Sequence, residues 1–374
     1  MDRRKFLVGA GGAFVLVGLG ATWRVTRAPQ TAHLPWAIDP QPLEDQRLDA
    51  FRYAILAPNP HNRQPWLIKL EGADEAILTC DLERRLPETD PFDRQIVIGF
   101  GAFIELARIA ASQHGIRIDV TPFPDGEPAQ RLDQRPVARL RFLPDAKTQR
   151  DPLFAQILKR HTNRDPFDMA RAVPEAIARH IAEGDGWTVD AGRVAAIRTI
   201  TVDAITTEFN TPRANQESVD LMRIGHSEID ANPDGIALSG PMIEALDITG
   251  QISRAQLADP KSSVFEIGLN GMRDVYASYP ALIWIKTPTN ARADQLEAGR
   301  RYVRACLRAA ARGLNIHPMS QSLQEYAEVS AAFASVHKLL GASGNERFQM
   351  LARIGYGTQK GPAPRWPMES HIIT

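Results

Sequence analysis

The chain contains little cysteine and no excess of charge of either sign. Cys80 and Cys306 are the only cysteines among 374 residues, which excludes a disulfide framework and a cysteine-based metal cluster. A single bridge between the two stays open, although no local pattern favours it. The 44 basic and 44 acidic side chains balance, so no strongly basic face is indicated and nucleic acid is not an expected partner. The histidines are scattered without an HExxH pair, and we predict no metal site.

Two nucleotide-binding signatures are also missing. The sequence holds neither GxGxxG nor GxxxxGK[ST], so a Rossmann or P-loop site is not supported. The remaining composition, 44% hydrophobic and 24% charged, is that of an ordinary globular protein. At this length we expect two or three domain-sized units or one large one.

The N-terminus has the layout of an export signal. Three basic residues at 3–5 precede an uncharged, glycine-containing run at 6–23. The pair Arg3 and Arg4 resembles a twin-arginine signal, with Asp2 as a departure from that pattern. We predict a signal or anchor at 1–28, and a periplasmic protein or one anchored to the inner membrane and facing the periplasm. Because this route exports folded proteins, it favours a cofactor inserted before export; whether the signal is cleaved or stays as a membrane tether is open.

The first half of the chain predicts an α+β unit. After a proline-rich linker at 29–42, a helical pattern covers 43–56, and "QPWLIKLE" and "EAILTCDL" are typical of strands. A long helix is predicted over 93–116, followed by the strands "RIDVTPFP" and "VARLRFLP". The unit ends near residue 148, which gives a first half at 29–148.

The second half, 149–374, repeats this plan. The stretch 294–318 has the build of 93–116, and "YPALIWIKT" and "ERFQMLARIGYG" flank it as strands. We interpret the two halves as a tandem duplication; the alternative is chance similarity between two amphipathic helices. The stretch 200–273 is polar and weakly periodic, with "ANPDGIALSG" as a loop, and it is too long for a simple connection. We predict that it is an inserted arm or lid.

Three phrases carry the candidate chemistry: "APNPHNRQPW" (57–66), "RHTNR" (160–164) and "RIGYGTQKGPAPRWPMESHI" (353–372). The last two supply arginines, whose guanidinium forks bind phosphate oxygens. The first supplies the amides of Asn62 and Gln64, which suit a flat heterocycle with donors and acceptors. Together they describe a mononucleotide site such as one for FMN. Taken singly, each phrase is also compatible with an ordinary loop or a solvated helix end.

The three phrases resemble motifs of the FMN-dependent nitroreductase family: an R-[RH]-[ST]-x-R/K motif, a P-S-x-x-N-x-Q-P-W loop and a late arginine. Fusion of two halves behind a twin-arginine signal resembles its Acg-like branch. Asn59 departs from the family's Ser, and Ala363 stands where many members carry Lys. The resemblance implies FMN binding by Pro58, Asn59, His61, Asn62, Gln64, Arg160, His161, Thr162, Arg164 and Arg365, and more loosely by Met319 and Ser320.

The resemblance also implies an architecture. We expect an α+β, nitroreductase-like sandwich of two fused halves, a pseudo-dimer with mostly antiparallel sheets and the long helices 93–113 and 295–312 packed together at its centre. The first half would supply the asparagine loop and the second half the arginine motif, which makes one complete site in a monomer. The other site should be lost, because "ARHIAEGDGWTV" stands in place of the second half's own loop.

Two functions follow from these expectations. The first is an FMN-dependent oxidoreductase that passes hydride from a small-molecule donor to a nitroaromatic or quinone-like acceptor; no catalytic side chain is assigned, because the flavin performs this chemistry. The second is an exported flavin-binding or flavin-sequestering protein whose site is occluded by 200–273 and turns over little. The sequence leaves the physiological donor and acceptor open.

Overall fold

The computed structural model describes residues 27–374, so nearly all of the predicted signal at 1–28 lies outside the described residues. The first part of the chain alternates helices with strands. Asp45 begins the first helix by accepting a hydrogen bond from the backbone of Arg47 at 2.9 Å. The elements are α1 (Gln46–Ala54), β1 (Trp66–Glu71), β2 (Glu75–Cys80), α2 (Arg94–Ser112), β3 (Ile116–Pro122) and β4 (Ala138–Pro144).

The second part of the chain contains more helix than the first. Its elements are α3 (Glu175–Ala182), β5 (Gly186–Thr188), α4 (Ala191–Asn210), α5 (Pro212–Asp220), β6 (Met222–Ile224), α6 (Gly225–Ala231), β7 (Ile236–Leu238), α7 (Pro241–Ile248), α8 (Arg254–Ala258), α9 (Ser263–Ala277), β8 (Ala281–Thr287), α10 (Arg292–Ala311), β9 (Asn315–Pro318), α11 (Ser330–Leu340), β10 (Arg347–Gly355) and β11 (Ile372–Ile373).

Two larger sheets carry the architecture. The first has the order β11-β1-β2-β4-β3 and the second the order β5-β8-β10-β9; apart from the parallel pair β1 and β11, all neighbours in them are antiparallel. Trp66 and Ile68 on β1 are fully buried beneath α2, as alternation along a half-buried strand requires. This confirms the predicted α+β fold with mostly antiparallel sheets and long central helices.

The long helices α2 and α10 cross at unusually close range. A Cβ on Gly101 would lie 2.0 Å from the carbonyl oxygen of Leu296, and a Cβ on Gly299 would lie 1.9 Å from that of Ile98. Only glycine lets the two backbones approach this far. The predicted packing of the two helices at the centre of the molecule is therefore observed, and this crossing fixes how the two sheets are placed.

One helix of the described part of the chain, α2, is long and apolar enough to cross a membrane. Its side chains are almost all buried between the first sheet and α10. The same segment serves here as the central helix of the protein core. Cys80 and Cys306 are both buried and unbridged.

Three segments differ from their predicted form. The 29–42 stretch is not a plain linker, because Thr31–Trp36 forms a 3-10 helix whose Ala32 and Trp36 are buried. The polar stretch 200–273 is mainly helical, and its predicted loop contains strand β7, which pairs in parallel with β6. The C-terminal strand β11 lies in the first sheet although 149–374 was assigned to the second half. In each case a tertiary contact orders a segment whose own pattern is weak.

Candidate cofactor site

A cavity of about 510 Å³ lies where the two halves meet. Its floor comes from both central helices, through Ile98, Gly99 and Ala102 on α2 and Tyr302 on α10. Its volume falls within the roughly 300–1,000 Å³ of small-molecule sites. Nine of the twelve predicted site residues line it: Pro58, Asn59, Asn62, Arg160, His161, Thr162, Arg164, Ser320 and Arg365.

The arginine motif follows a 3-10 helix, Pro152–Lys159, and runs beside the edge of the second sheet. Thr162 forms an isolated parallel bridge with Ile316 on β9. In an extended segment alternate side chains share a side, and Arg160, Thr162 and Arg164 reach the same cavity in this way, while His161 also lies at its wall. Asn163 is fully buried instead, and its side chain donates to the Thr358 carbonyl at 2.7 Å. The R-x-T-x-R spacing thus has a structural reason.

Arg164 and Arg160 retain hydrogen-bonding capacity. Arg164 is exposed within the cavity and makes no hydrogen bond or ion pair with any residue in 27–374. Arg160 is 3% exposed and uses one Nη2 hydrogen to bond the Leu56 carbonyl at 3.0 Å, while its buried Nε has no partner in that range. Burial lowers the pKa of Arg160, and the pKa of Arg164 is lowered by partial desolvation inside the cavity although its side chain reaches solvent. Both are placed to bind an anion.

Arg365 lines the cavity, as predicted of a site residue, but its donors are already in use. Its Nε donates to the Ile55 carbonyl at 2.8 Å, and Nη2 donates to the carbonyls of Leu56 and Ala57 at 3.2 and 3.0 Å. Nη1 donates to the Asn62 side chain and to the carbonyl of Pro364. All five N–H donors of the guanidinium are therefore occupied. Arg365 contributes positive charge to the cavity but no free donor for a phosphate.

The arginines also lower the pKa values of two neighbouring groups, Arg365 and His161. Burial, reinforced by Arg160 and Arg164, holds the pKa of Arg365 well below its usual value. Burial, with Arg160 and Arg365 nearby, likewise lowers the pKa of His161 to about 4. His161 is therefore neutral at pH 7, and its buried Nδ1 has no partner among the described residues.

The asparagine loop holds a strained backbone. His61, Asn62 and Gln64 all have positive φ, at 46°, 53° and 50°. The Asn59 side chain fixes the turn by accepting from the Gln64 backbone at 2.8 Å and donating to the Ala57 carbonyl at 3.1 Å. Strain of this kind outside glycine is concentrated at functional sites. The loop is thus shaped to present Pro58, Asn59 and Asn62 to the cavity.

Three predicted site residues do not line this cavity. Gln64 is fully buried; its amide donates to the Pro233 carbonyl at 2.8 Å, and its oxygen accepts from the Trp366 backbone at 2.9 Å. His61 points to the Ser218 hydroxyl at 3.2 Å. Met319 is fully buried in the apolar core beside the second sheet. These side chains hold neighbouring segments together.

Several cavity residues, Lys360 among them, lie outside the predicted set, and so does Trp36, which is not part of the lining but packs against two of the arginines. Trp36 lies beneath the arginine pair, with the guanidinium carbons of Arg160 and Arg365 at 5.9 and 5.6 Å from its ring centroid. Lys360 lines the cavity three residues after Gly357 and pairs with Asp165. An isolated tryptophan within a proline-rich stretch was the one sequence signal for Trp36.

The stretch 200–273 forms one wall of the cavity. Its contributions are mainly apolar, from Ile229 on α6, Ala237 and Leu238 on β7, and Ile243 on α7. The backbone of Gly235 donates to the Asn62 carbonyl at 3.3 Å, which ties this wall to the asparagine loop. The arm therefore lies over the predicted site.

A second arginine cluster differs from the first because carboxylates of the chain neutralise its charges. Arg300, Arg301, Arg304 and Arg308 on α10 line a smaller cavity together with Glu183 and Asp185. Each guanidinium contacts a carboxylate: Glu297, Asp185, Glu105 with Asp151, and Glu183 respectively. The chain's own acids compensate these charges, so no anion is required.

No protein-family model matches the chain. It is 34% identical over 125 residues to an uncharacterized protein of Mycobacterium tuberculosis, covering 32% of this chain and 35% of that one. It is also 34% identical over 120 residues to the putative NAD(P)H nitroreductase acg of the same organism, covering 32% and 34%. The chain thus spans about a third of the length of these relatives. Among solved structures, a putative nitroreductase from Anabaena variabilis is 10% identical, with a TM-score of 0.44 over 90% of this chain and 91% of that one.

Proposed function

We propose that this protein binds FMN in the cavity between its halves and acts as a nitroreductase-type oxidoreductase. The observation that carries this proposal is the uncompensated charge of Arg160, Arg164 and Arg365. Asp165 is the one acidic residue among the described lining residues, and it already pairs with Lys360. Arg160 and Arg365 are buried, and a buried cation without a carboxylate partner costs several kcal/mol unless an anion joins it. A phosphate group would supply that anion.

The donor set fits the two ends of FMN. Arg164 and the free hydrogens of Arg160 would bind the phosphate, and Thr162 lies between them. Asn59, Asn62 and the apolar floor formed by Ile98 and Gly99 would contact the ring. When bound, FMN supplies reversible two-electron hydride chemistry. The residues of the chain bind and orient it, and the wall formed by 200–273 limits access of water.

The test is a visible spectrum of the purified full chain, with identification of any flavin released on denaturation. We expect a yellow protein that releases about one FMN per chain. A colourless protein that takes up no added FMN would overturn the proposal.

A second candidate function is flavin binding with little turnover. The observation that favours it is the apolar wall of Ile229, Leu238 and Ile243 over the cavity. The discriminating measurement is bleaching of the bound flavin by excess NADH or NADPH without air. Bleaching supports the oxidoreductase, with a nitroaromatic or quinone-like acceptor; its absence supports sequestration.

The proposal extends to how the protein arose and where it acts. We infer that the two halves derive from a tandem duplication and that the α10 cluster marks the lost second site. We further infer export by the twin-arginine pathway. The double substitution Arg3→Lys with Arg4→Lys tests export directly, because it should leave the protein in the cytoplasm.

A further inference from the structure

The mouth of the cavity is marked by the exposed members of its lining. These are Ala28, Arg164, Ser239, Lys360 and Gly361, whereas the other lining residues are buried or half-buried. The mouth therefore lies where the N-terminal segment, the loop before α7 and the C-terminal segment meet.

Two large, exposed apolar side chains adjoin cavity-lining residues along the chain. Met242 on α7 is 76% exposed and Leu34 is 64% exposed. Their chain neighbours Ile243 and His33 line the cavity, and helix α6 packs against both α7 and the 3-10 helix that holds Leu34. We name Leu34 and Met242 the apolar rim. Exposed apolar groups at the entrance of a site mark a surface that contacts something apolar.

The sequence that precedes Ala28 indicates that the apolar rim faces a lipid bilayer. Ala28 lies at the mouth, and the uncharged run 6–23 ends five residues before it. Five extended residues span at most about 18 Å. The run has the length of a membrane span. If it is retained, the mouth cannot lie far from the bilayer.

We propose that residues 6–23 stay attached as a membrane anchor and that the apolar rim rests on the lipid surface, so that the cavity receives lipid-soluble flat substrates such as long-chain quinones. Docking rests on the exposed apolar rim and on the uncharged run 6–23, and the substrate class rests on the proposed function. The apolar wall of Ala237, Leu238 and Ile243 continues inward from the rim and suits such a molecule. An apolar entrance facing lipid lets a substrate enter without crossing water.

The test uses the full chain in phosphatidylethanolamine–phosphatidylglycerol vesicles. Cys80 and Cys306 are buried, so Met242→Cys gives one accessible thiol for an environment-sensitive fluorophore. Ile267→Cys is the matched control, since Ile267 on α9 is apolar, 72% exposed and absent from the cavity lining. We expect the label at 242 to shift to the blue and to be quenched several-fold more by lipids carrying a quencher than the label at 267. Leu34→Cys should behave as Met242→Cys does.

Three results would overturn docking on lipid. The label at 242 stays water-like, the labels at 242 and 267 respond alike, or the response depends on the protein-to-lipid ratio, which would assign the rim to contact between copies of the chain. FMN content is measured on the same samples. A chain without flavin whose rim still responds to lipid would remove the proposed function and leave the docking intact.

Discussion

At the residue scale, two arginines from different sequence motifs have unequal roles. Arg164 has every donor free, whereas Arg365 spends all of its donors on the chain's own carbonyls and on Asn62. A motif records only residue type and spacing, so it treats the two alike. Substitution of Arg164 should therefore weaken ligand binding, whereas substitution of Arg365 should lower the stability of the fold.

Arg164→Gln should weaken FMN binding roughly ten- to hundredfold, because hydrogen bonds to a charged group contribute about 1.5–3 kcal/mol. Its unfolding free energy should change by less than about 0.5 kcal/mol, since the side chain makes no internal bond. Fluorescence titration with FMN and urea unfolding measure the two quantities. Arg150→Gln, at an exposed position outside the cavity lining, is the control and should bind FMN as the parent does. Equal FMN affinity for both variants would contradict the assignment.

Arg365→Gln should lower the unfolding free energy by about 3 kcal/mol or more. It leaves the buried carbonyls of Ile55, Leu56 and Ala57 short of donors, and this loss outweighs the relief of repulsion with Arg160 and Arg164. The midpoint of urea unfolding reports it. An unchanged midpoint with loss of FMN would instead make Arg365 a ligand.

His61 should make the protein less stable in acid. Burial, with Arg164 and Arg63 nearby, lowers the pKa of His61 to about 4, below the value near 6.5 expected in the unfolded chain. Between these values the unfolded state binds more protons, so stability falls as the pH drops from about 6.5 toward 4. His61→Asn removes this group, and Asn tolerates the positive φ of 46°. From pH 7 to pH 5 the parent should lose about 1–2 kcal/mol more than the variant in urea unfolding; parallel losses would show that His61 does not titrate there.

At the element scale, the crossing of α2 and α10 positions the two sheets and the segments that line the cavity. Arg160, Arg164 and the asparagine loop reach one cavity because these helices hold the two sheets at a fixed spacing. The glycines at the crossing appear in the sequence only as unremarkable helical glycines. Their role depends on the partner backbone.

Gly299→Ala should destabilise the protein by about 3 kcal/mol or more, because the new Cβ would lie 1.9 Å from the Ile98 carbonyl oxygen and force the helices apart. Gly271→Ala on α9 is the matched control. Its added Cβ would have no heavy atom within 4 Å, so the substitution should raise stability by up to about 1 kcal/mol. Thermal unfolding compares them. A tolerated Gly299→Ala would mean that the crossing is wider than described.

At the scale of the whole molecule, the site is assembled from distant parts of one chain. The asparagine loop, the arginine segment and the C-terminal segment around Arg365 meet between the halves, and β11 returns to pair with β1. Since one chain supplies every wall of the cavity, a second copy is not needed to complete it.

A chain lacking residues 1–26 should therefore have the mass of one chain in light scattering. The expected mass should not change with dilution, because the cavity is complete within one chain and its formation does not depend on protein concentration. A mass of two chains would contradict this expectation and would place a partner surface on the described residues.

The sequence alone determined the α+β class and most of the helices and strands, because periodicity and turn chemistry are local. Nine of the twelve residues that the family resemblance implied as FMN-binding line the cavity. The sequence could not decide that Arg365 is saturated, that Gln64 and Met319 face away from the cavity, or that Trp36 lies beneath the arginines. Those outcomes depend on which carbonyls, rings and helices meet across some 300 residues. Only the tertiary structure brings those groups within contact distance, since hydrogen bonding and packing act over a few ångströms.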